Sequence, residues 1–132
     1  MKHYLLICEI GPIYDFVRQS RKTVDFWGAS FLFSYVMSEV ARDIEHNGGK
    51  IFLPYLNNNP LYLQSGTITC GSIPDQIYAT FSESQRSDIE NGLKTVIEKV
   101  VKILAPKIEA MAGQKGKPDY PEVKNFFHFF YS

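Results

Sequence analysis

The residues best suited to chemistry stand together near the N terminus, in the stretch GPIYDFVRQSRKTVDFWGAS at residues 11–30. A Gly-Pro pair ends an apolar run there, and three cations follow: Arg18, Arg21 and Lys22. The first N–H groups of a helix lack partners within it, so Gly11, Ile13 and Tyr14 would present unpaired donors to an anion such as phosphate. The spacing alone leaves two hypotheses open: an anion site, and a solvated basic turn that connects two helices.

Other chemistries have weaker support in the sequence. The stretch lacks the GxxxxGK[ST] of a P-loop and the GxGxxG of a dinucleotide site. Asp15 and Asp25 fall on separate predicted helices, where capping or pairing with the neighbouring cations is more typical of such carboxylates than Mg²⁺ binding. The histidines stand in three unrelated elements, without a Ser/His/Asp pattern: His3, His46 and His128. We therefore predict no catalytic residue and no metal site.

Length and composition describe one domain over residues 1–132, since 132 residues that are 45% hydrophobic suffice for a single core. Fourteen basic residues balance 14 acidic ones, so any anion site must be local. Cys8 and Cys70 lack a CxxC pattern, which predicts reduced structural thiols. No segment resembles a secretory signal or a membrane span, and we expect a cytoplasmic protein without a membrane partner.

The first half of the chain predicts a strand followed by two helices. The apolar run at residues 3–10 predicts a central strand buried on both faces. Pro12 is suited to a first helical turn, which predicts a short helix over residues 12–19. A long helix should begin with Thr23 as N-cap and end near Asn47, before Gly48-Gly49. On this helix we expect Asp25 in the first turn, Trp27 buried, and a buried stripe at three- and four-residue spacing: Ala29, Phe33, Val36, Val40 and Ile44. A row of small hydroxyls, Ser30, Ser34 and Ser38, leaves two interpretations open: a partly solvated helix edge, which is the more typical case, or close approach by another helix, a strand or a ligand.

The second half completes an α+β pattern. Residues 50–56 predict a strand that Pro54 confines to a sheet edge, and residues 57–74 a long connection with a possible short strand at 67–70. Residues 75–82 predict a third strand, 84–112 a long helix and the last ten residues an aromatic strand. This order is that of a ferredoxin-like βαββαβ sandwich. In that fold helices cover one face of a four-stranded antiparallel sheet, and we expect the other face to be partly exposed.

The run from Ile10 to Tyr35 closely resembles the IGPVQxFIxxARKTxDLWxGSxLLS stretch that opens the first Palm-like domain of the large subunit of type III-B CRISPR RNA-silencing complexes. Arg21-Lys22-Thr23, Asp25 and Trp27 are among the identities. The later FLPYL, NNNP and SIPDQIYATF resemble the I-F-P-x-L, N-P and P-N-R-F segments of the same domain. The resemblance covers the chain from the first strand through the third.

The resemblance implies a domain that binds ATP together with a second Palm domain, within an assembly that makes cyclic oligoadenylates in antiviral defence. The acidic pair that binds metal lies in a GGDD hairpin of that second Palm. Here Gly48-Gly49 is followed by Lys50-Ile51, so this chain is expected to bind no metal alone and to be no enzyme alone. Implied partners are the GGDD-bearing Palm, other effector subunits and, indirectly, guide and target RNA.

The residues that the resemblance and the turn together assign to nucleotide binding are Gly11, Pro12, Ile13, Tyr14, Arg18, Arg21, Lys22, Thr23 and Ser30. Trp27 and Asp25 are assigned structural roles. The family usually has Gln where this chain has Tyr14. Two further expectations remain open: an RNA-binding ferredoxin-like module as the alternative function, and self-association through the C-terminal aromatic strand, FFHFFYS. The resemblance also implies that the domain is part of a larger subunit.

Overall fold

The computed structural model describes residues 2–11, 23–66, 71–112 and 128–131. The strands are β1 (His3–Gly11), β2 (Lys50–Leu53), β3 (Gln76–Ser82) and β4 (His128–Tyr131). The α-helices are α1 (Thr23–His46), α2 (Pro60–Leu63) and α3 (Arg86–Ala112), and a short 3₁₀ helix (Glu83–Gln85) precedes α3. The predicted helix at 12–19 and the possible strand at 67–70 lie outside these residues.

The sheet is antiparallel throughout the described strands. β3 pairs with β1 from His3↔Ser82 to Glu9↔Gln76, and with β2 on its other side. β2 therefore lies at an edge, which confirms the prediction made from Pro54. β4 pairs with β1 from Cys8↔Tyr131 to Gly11↔His128, so the strand order is β2-β3-β1-β4.

One face of the sheet packs on the helices and builds the core. The buried strand residues on that face are Leu6, Cys8, Ile10, Ile77 and Ala79, and they belong to one cluster with the buried residues of α1 and α3. Their spacing is two along each strand, because successive side chains of a strand point to opposite faces. The prediction of a first strand buried on both faces is wrong: Leu5 is 53% exposed, because the other face carries no helix from the described residues.

The long helices follow the predicted bounds closely. α1 begins at Thr23 and ends one residue before Asn47. Gly48 has a φ of 88°, which a side chain disfavours, and Gly49 N–H donates to the carbonyl of Ile44 at 2.9 Å, which closes the helix. The buried stripe predicted for α1 is confirmed at Phe33, Val36, Val40 and Ile44.

The region after β2 differs from the prediction. The second strand ends at Leu53, three residues earlier than expected, and the predicted long connection contains the helix α2. Asn59 caps that helix by accepting from the N–H groups of Leu61 and Tyr62, and Pro60 occupies the first helical position. An Asn-Pro pair is a local sign of a helix start that the sequence does contain.

Candidate functional site

The C-terminal end of β1 is the described part of the predicted anion site. Gly11 is the last residue of β1, and in the sheet it lies opposite His128, the first residue of β4. The N–H of Ile10 donates to the carbonyl of Asp75, just before β3 begins, at 3.1 Å. The end of β1 and the starts of β3 and β4 therefore meet at one end of the sheet.

The segment of residues 71–75, which leads into β3, also contacts the first half of α1. The hydroxyl of Ser34 donates to the carbonyl of Ile73 at 2.9 Å and accepts from the N–H of the same residue at 3.3 Å. A Cβ at Gly71 would lie 2.6 Å from the carbonyl oxygen of Ser30 and 2.8 Å from the hydroxyl of Ser34, so only glycine fits there without a shift. The close neighbour of the predicted serine row is thus this segment of the chain itself.

The third serine of the row is engaged differently. Ser38 is fully buried, and its hydroxyl donates to the carbonyl of Tyr35 in its own helix at 2.6 Å. Ser38 therefore bonds within its own helix, whereas Ser30 and Ser34 face the 71–75 segment.

The residues predicted for nucleotide binding are only partly within the described chain. Gly11 is placed at the end of β1, Thr23 is the first residue of α1, and Ser30 is exposed on α1. The 71–75 segment connects the regions of Gly11 and Ser30. It bonds to Ile10, the residue before Gly11, and it lies against the carbonyl of Ser30. The side chains of Thr23, Asp25 and Trp27 lie outside the description, as do all atoms of six candidates: Pro12, Ile13, Tyr14, Arg18, Arg21 and Lys22.

A polar cluster between α1 and α3 was not predicted. Asp43 is 7% exposed, and its carboxylate accepts from Lys99 Nζ at 3.0 Å and from Asn47 Nδ2 at 3.3 Å. Gly92 of α3 lies directly against it, since a Cβ there would be 2.7 Å from Asn47 Nδ2 and would collide with the Asp43 carboxylate. This glycine allows the two helices to cross over a buried charge.

An open groove of about 270 Å³ follows this crossing, lined by Glu39, Arg42, Asp43, His46, Val96 and Lys99. Its opposite charges are already paired: Arg42 contacts Glu39, and Lys99 contacts Asp43. The groove therefore offers little unsatisfied charge to a ligand, and its polar side chains hold the helices together.

Arg42 also fastens α2 to α1. Its guanidinium donates to the carbonyls of Leu61 and Tyr62 at 2.9 and 2.7 Å, and it lies over the Tyr62 ring, 5.6 Å from the centroid. Tyr62 donates in turn to Glu45. Burial and this hydrogen bond raise the pKa of Tyr62 to about 12, so the phenol stays protonated as the donor.

Among the side chains that the structure describes, the aromatic residues of the sheet form two separate pairs. Tyr4 and Phe81 stack on the core side at the far end of β1, with centroids 5.5 Å apart, and Arg86 lies 5.5 Å over Tyr4. On the helix-free face, Phe52 and Tyr78 lie 6.3 Å apart, and Phe52 is 49% exposed. The second pair leaves an aromatic surface open to solvent.

The described residues contain no arrangement of side chains suited to metal binding or to thiol chemistry. No group of three or more His, Cys, Asp or Glu side chains converges there. Cys8 is a free, buried thiol, and burial raises its pKa to about 12, which keeps it protonated and unreactive at neutral pH.

Comparison with known proteins identifies the chain's relatives. Residues 5–105 match the family described as "CRISPR-associated protein Cmr2, N-terminal", and this match extends over far more than half of the sequence. No curated protein matches the chain. In the part of the chain that the structure describes, no helix is both long and apolar enough to cross a membrane.

The matched residues include most of β1, the whole of α1, the 71–75 segment and most of α3. This family is the N-terminal domain of a subunit of type III-B CRISPR effector complexes, which assembles with other Cmr subunits. The chain therefore belongs to the Cmr2 N-terminal family.

Proposed function

We propose that this chain is a non-catalytic Palm-like domain of the Cmr2 subunit, which holds ATP together with a second, GGDD-bearing Palm during cyclic oligoadenylate synthesis. The observation that carries the proposal is the family match over residues 5–105, within which the candidate turn of residues 11–30 lies. ATP is the proposed ligand, the GGDD-bearing Palm is the proposed partner, and the cytoplasm is the proposed location.

The strand order supports a ferredoxin-like Palm. The order β2-β3-β1-β4, with antiparallel pairing and β1 and β3 inside, is the order that a βαββαβ sandwich produces. The long helices α1 and α3 follow β1 and β3 in the chain and share the core with them. Both observations support the proposed sandwich.

The nucleotide is proposed to lie beyond Gly11, at the end of β1. The described geometry favours this end, because the ends of three strands meet there and the first half of α1 is held against it through Ser34. Cations that follow Gly11 in the sequence would neutralise phosphate, and charge-assisted bonds from Lys or Arg are the strong ones. In this proposal Lys22 and Arg18 provide those bonds.

Two-metal chemistry would require carboxylates that hold cations about 3.5 to 4 Å apart. In the described part of this sheet end, the carboxylates nearest the site are Glu9 and Asp75, both exposed, and they belong to no cluster of metal-ligating side chains. We therefore assign metal binding to the GGDD hairpin of the second Palm. Other effector subunits, with guide and target RNA behind them, would complete the assembly.

Calorimetric titration of the chain with ATP tests the nucleotide site. Lys22→Ala is expected to weaken binding by about 1 to 3 kcal/mol, the range of a hydrogen bond to a charged group. Lys94→Ala is the matched control, because Lys94 is exposed on α3, outside the proposed site. Equal affinities in both variants would show that Lys22 does not contact the nucleotide.

Incubation with ATP and Mg²⁺ or Mn²⁺ tests the division of labour. The chain alone should make no cyclic oligoadenylate, whereas addition of a GGDD-bearing partner and target RNA should produce it. Product from the chain alone would overturn the assignment of catalysis to the partner.

An RNA-binding module is the second candidate, and the open Phe52–Tyr78 pair favours it. Stacking of a base on an aromatic side chain contributes about 1 to 3 kcal/mol. If the sheet binds single-stranded RNA, Tyr78→Ala should weaken binding by that amount in a fluorescence anisotropy titration. Tyr55→Ala is the control, since Tyr55 is 72% exposed beyond the end of β2.

A further inference from the structure

The 71–75 segment touches both elements that flank the proposed nucleotide site. At one end, the carbonyl of Asp75 accepts from Ile10, one residue before the end of β1. At the other, Gly71 lies against the Ser30 carbonyl, and Ile73 exchanges two hydrogen bonds with Ser34. One short piece of chain thus bridges the end of β1 and the first half of α1.

The bridge has a further anchor on α2. Ser72 accepts from the side chain of Asn59, the residue that caps α2, at 2.9 Å. α2 is itself held on α1 by the bonds from Arg42 to its carbonyls. Ile73 is 5% exposed and belongs to the core, which leaves the segment little freedom to shift along α1.

We infer that the 71–75 segment sets the position of α1 relative to the end of β1, and that Ser34 is the positioning residue through which it does so. Ser34 is 3% exposed, and its hydroxyl satisfies both backbone groups of Ile73, so its loss leaves a buried donor and a buried acceptor unpaired. This inference rests on the proposed function, because it makes nucleotide affinity depend on a residue that does not touch the nucleotide.

The test compares Ser34→Ala with Ser38→Ala in the full chain. Both residues are buried serines of α1, but the hydroxyl of Ser38 bonds within its own helix. Amide hydrogen exchange without nucleotide should show faster exchange at residues 9–11 and 28–34 in Ser34→Ala alone. A role in overall stability would instead accelerate exchange across α3 as well. Unchanged exchange at these two ranges would overturn the inference.

ATP titration, well below the unfolding temperature of each variant, supplies the second measurement. Ser34→Ala should raise the Kd about fivefold or more, while Ser38→Ala should leave it unchanged. Equal Kd values for the two variants would overturn the role of Ser34 at the site. If the wild type binds no ATP even beside a GGDD-bearing partner, the proposed function fails, and the exchange measurement still decides the positioning role.

Gly71→Ala keeps the inference testable if Ser34→Ala does not fold. The added methyl group would press on both the Ser30 carbonyl and the Ser34 hydroxyl, and so would displace the segment from α1 without removing the serine. It should reproduce the faster exchange at residues 28–34 and the weaker ATP binding. Wild-type exchange and affinity in this variant would contradict the inference.

Discussion

Helix α1 is approached closely at two places, and the two contacts are built differently. Near its start, Gly71 faces backbone atoms of Ser30, with a neutral hydroxyl beside them. Near its end, Gly92 faces the side chains of Asp43 and Asn47, with the charge of Lys99 beside them. The first contact joins α1 to the sheet through a loop, and the second joins two helices.

The difference determines how each contact responds to change. Backbone atoms in a helix cannot move aside without disturbing the hydrogen bonds of the helix, whereas a carboxylate can rotate or turn toward solvent. The contact near the start of α1 should therefore fix geometry, and the contact near its end should tolerate substitution. Three substitutions can separate the two, and a fourth, at Cys8, should affect neither.

Gly71→Ala should produce the largest effect. The new Cβ would meet the Ser30 carbonyl, which belongs to the helix backbone, so the free energy of unfolding should fall by about 1 to 3 kcal/mol in urea denaturation. Gly28→Ala is the control: it lies in α1 with nothing within 4 Å of its Cβ position, and alanine should stabilise the helix by about 0.5 to 1 kcal/mol. Full stability of Gly71→Ala would show that the loop yields.

Gly92→Ala should have a smaller net effect, about 1 kcal/mol of destabilisation, because improved helix propensity offsets part of the collision with Asp43. A double-mutant cycle with Asp43→Ala isolates the collision. In the Asp43→Ala background only the Asn47 amide remains within 3 Å of the new Cβ, so Gly92→Ala should be less destabilising than in the wild type by about 1 kcal/mol. A cycle without coupling would mean that the carboxylate is not what Gly92 accommodates.

Lys99→Ala should be milder still. The Lys99 side chain is 59% exposed, so solvent screens its pair with Asp43, and the expected loss is below about 1 kcal/mol. Asp43 retains the bond from Asn47. The loss should shrink further when unfolding is repeated at high salt, with Lys94→Ala as the reference. A loss that salt does not change would point to packing of the lysine stem.

Cys8 should affect neither contact at neutral pH. Burial raises its pKa from 9.0 to about 12, so the unfolded chain releases this proton first as pH rises. Stability should therefore be unaffected below pH 9 and should fall between about pH 9 and 12. Comparison with Cys8→Ala between pH 8 and 10 measures the effect, and equal slopes for the two proteins would place the thiol in solvent.

Local signals account for what the sequence predicted well. Thr23 and Gly48 bracket α1, the three- and four-residue spacing marks its buried stripe, and Pro54 places β2 at an edge. Each of these signals acts within a few residues. The serine row left a solvated edge and a close neighbour both open, and the approach of residues 71–75 to Ser30 and Ser34 depends on the tertiary fold.

Contacts between residues that are far apart in the chain account for what the sequence did not predict. Asp43 and Lys99 are 56 positions apart, and nothing near either one indicates that α3 will cross there on Gly92. The exposure of Leu5 arises because no helix of the described ranges covers that side of the sheet, which an apolar run cannot reveal. The nucleotide contacts of Arg18, Arg21 and Lys22 stay predictions.

Arg42 makes charge an incomplete guide to substitution in this fold. Its planar guanidinium reaches two successive carbonyls of α2 and lies on Tyr62, a geometry that one ammonium group cannot reproduce. A natural variant with lysine at this position would keep the net charge and lose these contacts with α2. Such a variant would have to hold residues 60–63, and through Asn59 the segment beside the end of β1, by some compensating change elsewhere in the chain.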